Sequence, residues 1–164
     1  MYQDDVSGDA ASGGADASAT ARTAEIVRPL LSIAKATRSL VGIHLAHLNL
    51  DVGQDQLLCA LDGKDPITVE SASSILRIRP STTSKMCDRL IRRGLVKRCH
   101  DSRDSRRTTL LLTPEGVSRR AEVQDAWKRL NDQLALTPGF DVGRTAKALK
   151  ALDTALATGL ARLR

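Results

Sequence analysis

Hydrogen-bond donors occupy the polar faces of one predicted helix, which begins at Ser81. Its inward face has helical spacing and consists of Thr83, Met86, Cys87 and Leu90. The other faces carry short hydroxyls and cations: Ser81, Thr82, Ser84, Lys85 and Arg89. Side chains of these types contact phosphates and base edges, whereas a helix that docks on a protein normally shows an apolar face. The residue types therefore favour nucleic-acid binding over the alternative, a winged-helix module that only binds proteins.

A second, shorter helix is predicted just before this one, at 71–76. Ala72, Ile75 and Leu76 fall on one face of it. Pro80 separates the two helices, because the residue before a proline is kept out of the helical region. Gly94 stands where a left-handed residue commonly ends a helix. The pattern predicts a helix–turn–helix.

Strand-like segments follow the helix pair. Two runs, at 95–100 and 108–113, flank the loop DSRDSRR, and a short strand at 67–68 could pair with the resulting hairpin. A basic hairpin placed directly after a helix–turn–helix is the outline of a winged DNA-binding domain. The basic charge is concentrated here: thirteen Lys and Arg stand between Arg77 and Arg120 in a chain of net charge +6. Such clustering is the electrostatic footprint expected for phosphate binding.

Other classes of protein are disfavoured. Three cysteines and three histidines show no nucleophile–base arrangement, and there is no phosphate loop or metal motif, so we expect neither an enzyme nor a cofactor. Cys59, Cys87 and Cys99 are odd in number and lack zinc-like spacing, which indicates reduced thiols in a cytosol. No apolar run approaches membrane-spanning length, so we expect a cytoplasmic protein that does not contact membranes.

The flanking segments are predicted to be helical, apart from the first 22 residues. Residues 1–22 are rich in Gly, Ser, Ala and Asp and are expected to form a disordered acidic tail. A long apolar helix is predicted at 23–48, and Asp51 with Gln54 has the capping-box spacing that should start the next helix. Pro114 sets another helix start. The last helix carries a narrow apolar seam: Leu149, Leu152, Leu156, Leu160 and Leu163. This much apolar surface favours an oligomer, with packing inside one chain as the alternative.

The ordered motifs of residues 81–116 resemble the MarR family of transcription regulators. The resemblance rests on STTS at the start of the second helix, DRL near its end, RGLV leading into the hairpin, DSRDSR in the wing and LTPEG at its exit. It implies a mainly α fold with a small β-hairpin wing. It further implies one domain at 23–164, in which 51–113 form the winged helix–turn–helix, while 23–48 and 114–164 form the dimerisation helices. The expected function is a repressor that binds double-stranded DNA as a homodimer on an inverted-repeat operator and is released by a ligand.

Roles for individual residues follow from B-DNA geometry and from the family pattern. The first half of a helix in the major groove reaches base edges, which assigns Ser81, Thr82, Ser84 and Lys85 to base contacts. Phosphate contacts are assigned to Arg79, Arg89, Arg92 and Lys97. By the family pattern, the wing inserts Arg103 into the minor groove and is braced by Arg106, with Asp101 and Asp104 steadying both arginines; the roles of the two arginines could be exchanged.

Effector binding has fewer markers in this sequence. The family resemblance implies a small anionic or phenolic effector in a cleft between the dimer helices and the winged domain. The candidates for it are Arg38, His44, His47 and Cys59. His44 and His47 could also be half of a metal site, although no further pair completes it. A cysteine-based redox sensor of the same fold is an alternative that would depend on Cys59 or Cys99. The family implies a bacterial or archaeal source.

Overall fold

The computed structural model describes residues 13–100 and 108–162 of the chain, with side chains for 25–99 and 109–162. The chain divides into two compact units, Met1–Ile43 and His44–Arg164. The described elements are six helices and three short strands. A mainly α fold with a small hairpin sheet was predicted, and it is confirmed. Among the described residues, no helix is long and apolar enough to span a membrane.

Helix α1 (Gly13–Ala46) is longer than predicted. It begins ten residues before Thr23, so the second half of the predicted tail is helical rather than disordered. Alanines alternate through this stretch, and alanine has the highest intrinsic helix propensity. Pro29 lies well inside the helix. The helix therefore continues past the one backbone hydrogen bond that this proline cannot donate.

Most of the large apolar residues of α1 before His44 are exposed in the single chain, whereas Leu45 in the second unit is fully buried. Ile26, Ile33 and Leu40 recur every seven residues and are 57%, 51% and 44% exposed. No side chain described between residues 25 and 43 is buried. The predicted wide apolar stripe is present, but nothing within this unit covers it.

Helix α2 lies in the middle of the core of the second unit. Helix α2 (Gln54–Ala60) contributes Leu57 and Leu58, both fully buried. The capping-box spacing predicted Asp51 as the N-cap of α2, two residues too early. Gly53 adopts a left-handed conformation (φ 99°) and becomes the N-cap. The Asp51 amide donates to Gln54 Oε1 at 3.1 Å, as in a capping box, but the Asp51 carboxylate accepts from the Gln54 side-chain amide at 3.1 Å and not from its backbone amide.

The winged segment has the predicted order of elements. Helix α3 (Val69–Leu76) follows strand β1 (Ile67–Thr68), and helix α4 (Pro80–Arg92) follows α3 after a three-residue turn. Strands β2 (Val96–His100) and β3 (Thr108–Leu112) form the hairpin. The antiparallel sheet has the order β1-β3-β2, so the predicted pairing of β1 with the hairpin is confirmed. Both hairpin strands are one residue shorter than predicted.

The inward face of α3 differs from the prediction. Ile75 was placed on that face but is 56% exposed, whereas Ser73 is buried. The Ser73 hydroxyl donates to the Val69 carbonyl at 2.6 Å and lies 3.0 Å from the Thr83 hydroxyl of α4. A buried hydroxyl with partners carries little desolvation cost, so a serine can occupy this close contact between two helices.

Helices α5 (Pro114–Ala135) and α6 (Val142–Arg162) complete the chain. Thr113 caps α5 by accepting from the Gly116 amide at 3.0 Å, and Pro114 occupies the first helical position as predicted. None of the described side chains of α6 is buried. Val142, Leu149 and Leu156 recur every seven residues and are 44%, 46% and 51% exposed. Of the predicted seam, Leu149, Leu156 and Leu160 are exposed and Leu152 is half-buried, whereas Leu163 lies outside the described residues.

Candidate nucleic-acid interface

Burial separates the two faces of α4 as the spacing predicts. Thr83, Cys87 and Leu90 are fully buried. The side chains predicted to contact bases lie on the open side: Ser81, Thr82 and Lys85 are exposed, and Ser84 is half-buried. Helix α4 thus presents hydroxyls and a cation to solvent while its opposite face is fixed in the core.

The N-terminus of α4 is suited to a negatively charged partner. Arg79 is its N-cap residue and makes no side-chain capping bond, and the first turn contains no carboxylate. Helix N-termini carry partial positive charge and free amide groups that attract anions. The exposed hydroxyl of Ser81 and the cation of Arg79 lie at this same end. The arrangement can bind a phosphate without displacing a resident acid.

Two contacts fix α4 to its neighbours. The Ser73–Thr83 hydroxyl contact joins it to α3 inside the core. On the sheet side, Arg98 of β2 donates to the Asp88 carboxylate at 2.6 Å. Arg98 was not among the predicted functional residues. No specific signal in the sequence marked Arg98, because Asp88, the one acidic residue of α4, also has Arg89 and Arg92 within four positions.

The turn from α4 into the hairpin is also defined by backbone geometry. Gly94 has φ 70°, the left-handed conformation predicted for it. The Gly94 and Leu95 amides donate to the Ile91 and Leu90 carbonyls at 2.9 and 3.0 Å, which closes the helix end. This geometry sets the direction in which β2 leaves α4, and therefore the position of the wing relative to the helix.

The four residues predicted to hold phosphates occupy different environments. Arg79, Arg89, Arg92 and Lys97 are all exposed. Arg89 lies 3.3 Å from Asp51, and Arg92 donates to the Asp88 carbonyl at 3.4 Å. Lys97 pairs with Leu111 across the hairpin and lies on the opposite sheet face from Arg98, because side chains alternate along a strand. Lys97 is therefore separated from the surface formed by α4.

The predicted wing-tip residues lie outside the described part of the chain. These are Asp101, Asp104, Arg103 and Arg106. Their assignments remain predictions from the family pattern.

The predicted effector residues are divided between the two compact units. Arg38 is exposed in the first unit. In the second unit, His44 is half-buried at the end of α1, His47 is exposed in the turn after it, and Cys59 is half-buried on α2. Burial, with a further contribution from Asp55, raises the pKa of the Cys59 thiol to about 11. No group of three or more potential metal ligands occurs among the described residues.

The buried cysteine of α4 is also protonated at neutral pH. Burial, followed by the nearby charge of Asp88, raises the pKa of Cys87 to about 11. A redox-sensing cysteine needs an accessible thiolate at neutral pH. Neither Cys59 nor Cys87 meets this requirement.

Comparisons with known proteins agree with the winged architecture. Residues 49–107 match the family model described as the MarR family. The transcriptional regulator SlyA superposes with a TM-score of 0.73 at 20% identity, covering 85% of this chain and 99% of that one. BldR from Sulfolobus solfataricus gives 0.70 at 21% identity, covering 84% and 96%. A MepR mutant from S. aureus, solved bound to an oligodeoxyribonucleotide, gives 0.55 at 19% identity, covering 80% and 95%. No curated protein matches the chain.

The agreement covers both the sequence motifs and the fold. The family match spans α2, α3, α4 and β2, the elements that position the candidate interface. The solved regulators extend the likeness in fold to most of the chain. Residues 49–107 therefore match the MarR family model, and the chain has the fold of these solved transcriptional regulators.

Proposed function

We propose that this protein is a transcription regulator that binds double-stranded DNA through α4 and the wing. The observation that carries the proposal is the open face of α4, where Ser81, Thr82 and Lys85 are exposed on a helix whose other face is buried. The major groove of B-DNA admits a helix of this kind. The MepR structure, solved with an oligodeoxyribonucleotide, provides an example of the fold in contact with DNA. The match to a family of transcription regulators favours a regulator over an enzyme.

Within this proposal, some residues of the interface contact bases and others contact phosphates. Lys85 is the best candidate for a guanine contact, while Ser81, Thr82 and Ser84 discriminate weakly because a hydroxyl both donates and accepts. Arg79 and Arg92 hold phosphates at opposite ends of α4. Arg89 and Lys97 also hold phosphates, Arg89 after exchanging its contact with Asp51 for one with DNA. In the wing, Arg103 enters the minor groove, and Arg106, Asp101 and Asp104 brace it.

The regulator acts as a homodimer on an inverted repeat. The exposed heptad stripes of α1 and α6 support this, because heptad spacing is the pattern of helices that pack along a seam. The two half-sites then lie about ten base pairs apart, or a multiple of that, so that both α4 helices meet the same face of the duplex. Repression relieved by a small-molecule effector is the mode we propose, with Arg38, His44, His47 and Cys59 as the effector contacts.

The test starts from selection of genomic DNA fragments by the purified protein, which yields the operator. Binding to this operator and to a scrambled duplex is then measured across salt concentrations for two variants that each remove one positive charge. Lys85→Ala should weaken the operator more than the scrambled duplex, by about 1–3 kcal/mol, and relax the preference at one base pair in each half-site. Arg92→Ala should weaken both duplexes by similar factors and reduce the salt dependence by about one counterion.

The pair of variants serves as its own control, because both lose one charge from the same helix. Equal losses on both duplexes for Lys85→Ala would show that α4 is docked differently from the proposal. Failure of the protein to select any fragment would reject sequence-specific DNA binding and favour a module that binds proteins.

A further inference from the structure

The turn between α3 and α4 is held by an unusual residue. Arg77 adopts a left-handed conformation (φ 55°, ψ 34°), which is uncommon for a side chain other than glycine, asparagine or aspartate. Its amide closes α3 by donating to the Ser73 and Ser74 carbonyls, and the Ile78 amide donates to the Ser73 carbonyl at 3.1 Å. Only Arg77, Ile78 and Arg79 separate α3 from α4. A displacement of Arg77 is therefore transmitted directly to the N-terminus of α4.

The guanidinium of Arg77 contacts a residue 76 positions further along the chain. Its Nη1 and Nη2 donate to Oδ1 and Oδ2 of Asp153 at 2.6 and 3.1 Å, a bidentate geometry. Asp153 lies in the middle of α6 and is exposed on its side-chain surface. The Arg77 guanidinium lowers the pKa of the Asp153 carboxyl, so the carboxyl is charged at neutral pH. The contact joins the turn of the helix–turn–helix to the C-terminal helix.

This contact matters more for orientation than for stability. None of the described side chains of α6 is fully buried, and Leu152 beside Asp153 is only half-buried, so little apolar packing in the single chain fixes α6 at this point. An exposed ion pair contributes little to folding, because solvent screens it. A bidentate pair does fix direction, since both oxygens must face both nitrogens. The pair therefore constrains the angle between α6 and the turn that precedes α4.

We propose that the Arg77–Asp153 pair positions α4 relative to α6 and so helps to set the separation of the two α4 helices in the dimer. This inference rests on the proposed function, in which α6 belongs to the dimer interface and α4 enters the major groove. Arg77 and Asp153 are positioning residues that act on DNA through α4. Their effect is on the half-site spacing that the dimer prefers, and it leaves the bases read at each half-site unchanged.

The test uses Asp153→Asn, with Asp132→Asn as the matched control. Asp132 is 62% exposed on its side chain, as Asp153 is, and its partner Lys128 lies on the same helix, α5. Both variants gain the same charge, so their general attraction to DNA should rise equally. Binding is measured on the selected operator and on versions with one base pair added or removed between the half-sites. Asp153→Asn should reduce the preference for the native spacing by about two- to fivefold, the range expected from losing an exposed ion pair. Asp132→Asn should leave this preference unchanged.

A reciprocal variant separates positioning from other effects of the substitution. The double variant Arg77→Asp, Asp153→Arg restores the pair in the opposite sense, and aspartate tolerates the left-handed conformation at position 77. It should recover the native spacing preference. Equal spacing profiles for Asp153→Asn and Asp132→Asn, or no recovery in the double variant, would overturn the proposal.

A second measurement, made without DNA, keeps this inference distinct from the proposed function. Amide hydrogen exchange in the first turn of α4 should be faster in Asp153→Asn than in both the wild type and Asp132→Asn, because the turn loses its tether. Unchanged exchange would reject the positioning role whether or not the protein binds DNA. Faster exchange in a protein that binds no specific duplex would support the tether and reject the proposed function alone.

Discussion

Asp88 determines how much positive charge α4 can offer to a phosphate. It is the one acidic residue of this helix, and its carboxylate accepts from Arg98 of the neighbouring strand at 2.6 Å. Arg92 instead donates to the Asp88 backbone carbonyl, and no carboxylate of α4 is left to neutralise Lys85. The acid that could oppose DNA binding is therefore used to fasten the helix to the sheet. The residue type at position 88 alone would not have shown which of these roles it has.

The protonated thiols lead to a prediction about chemical reactivity. Because burial raises the pKa of Cys59 to about 11 from an ordinary value of 9.0, its thiolate fraction at pH 8 should be about a hundredfold below that of the unfolded chain. Iodoacetamide should therefore label Cys59 slowly at pH 8, and peroxide should oxidise this thiol slowly. The measurement is mass-spectrometric labelling of the folded protein, with the urea-unfolded chain as the control.

The same shift fixes the sign of a pH dependence. Below pH 9 the Cys59 thiol keeps its proton in both states, so its contribution to stability is fully present. Between about pH 9 and 11 the unfolded chain ionises first, and the free energy of unfolding should fall as the pH rises. Equal labelling of the folded and unfolded chains at pH 8 would contradict the assigned pKa of Cys59 and favour redox sensing at this cysteine.

At the scale of elements, α5 holds the ends of two other helices. Arg119 donates to the Leu48 carbonyl at 2.8 Å, just beyond the end of α1, and Arg120 donates to the Leu61 carbonyl at 2.7 Å, just beyond α2. Side-chain cations commonly satisfy the last carbonyls of a helix in this way. Both arginines were counted in the basic cluster that pointed to DNA. Charge along a sequence indicates a partner of opposite sign but does not identify that partner as a phosphate or a carbonyl.

Glycine substitutions at two helix starts should have opposite effects. A Cβ at Gly116 in α5 would lie 1.9 Å from the Leu95 carbonyl oxygen, so the turn of α5 and the start of β2 would have to move apart. Gly116→Ala should lower the free energy of unfolding by about 1–3 kcal/mol or more. Gly143 in α6 has only the flexible Asp141 carboxylate within 4 Å, at 3.6 Å. Gly143→Ala should raise the free energy by up to about 1 kcal/mol, because alanine favours the helix. Urea denaturation of both variants is the measurement, and a neutral Gly116→Ala would show that the close approach is absent in solution.

The spacing of apolar residues predicted most helices and strands, but it did not predict every side chain that packs between them. Thr83, Cys87 and Leu90 were assigned to the inward face of α4 from spacing alone, and all three are buried. The same reasoning failed at Ile75, because the contact between α3 and α4 is close enough to prefer the small Ser73. The early start of α1 was missed because its Ala-rich first turns lack the large apolar residues that mark a periodic helix. Spacing indicates which face is apolar, whereas the distance between two elements decides which side chain can fill it.

At the scale of the whole molecule, the single chain leaves much apolar surface exposed. The stripe of α6 contains Val142, Leu149 and Leu156, all more than 40% exposed. Helix α1 exposes Ile26, Ile33 and Leu40 with the same seven-residue spacing. Large exposed apolar patches usually mark an interface in soluble proteins. The seven-residue spacing favours a second copy of the chain as the partner, since two helices with this spacing can pack side by side. In the proposed homodimer, the second chain would therefore complete a core that one chain leaves open.

This dimer interface can be tested with one substitution on the α6 stripe and one on the opposite side of the helix. Leu156→Glu replaces a stripe residue, whereas Ala151→Glu adds the same charge on the face pointing away from Leu149 and Leu156. Burying a leucine is worth about 1.5–3 kcal/mol, and a dimer loses two of them, so the dissociation constant of Leu156→Glu should rise at least about a hundredfold. Ala151→Glu should leave it within severalfold of the wild type. Sedimentation equilibrium over a range of protein concentrations measures both dissociation constants.

A truncated chain tests the same interface. A chain that ends at Leu136 lacks α6, so it should sediment as a monomer and lose operator binding. If it remains a folded dimer, the seam of α6 is not the interface, and the exposed stripe of α1 becomes the next surface to substitute.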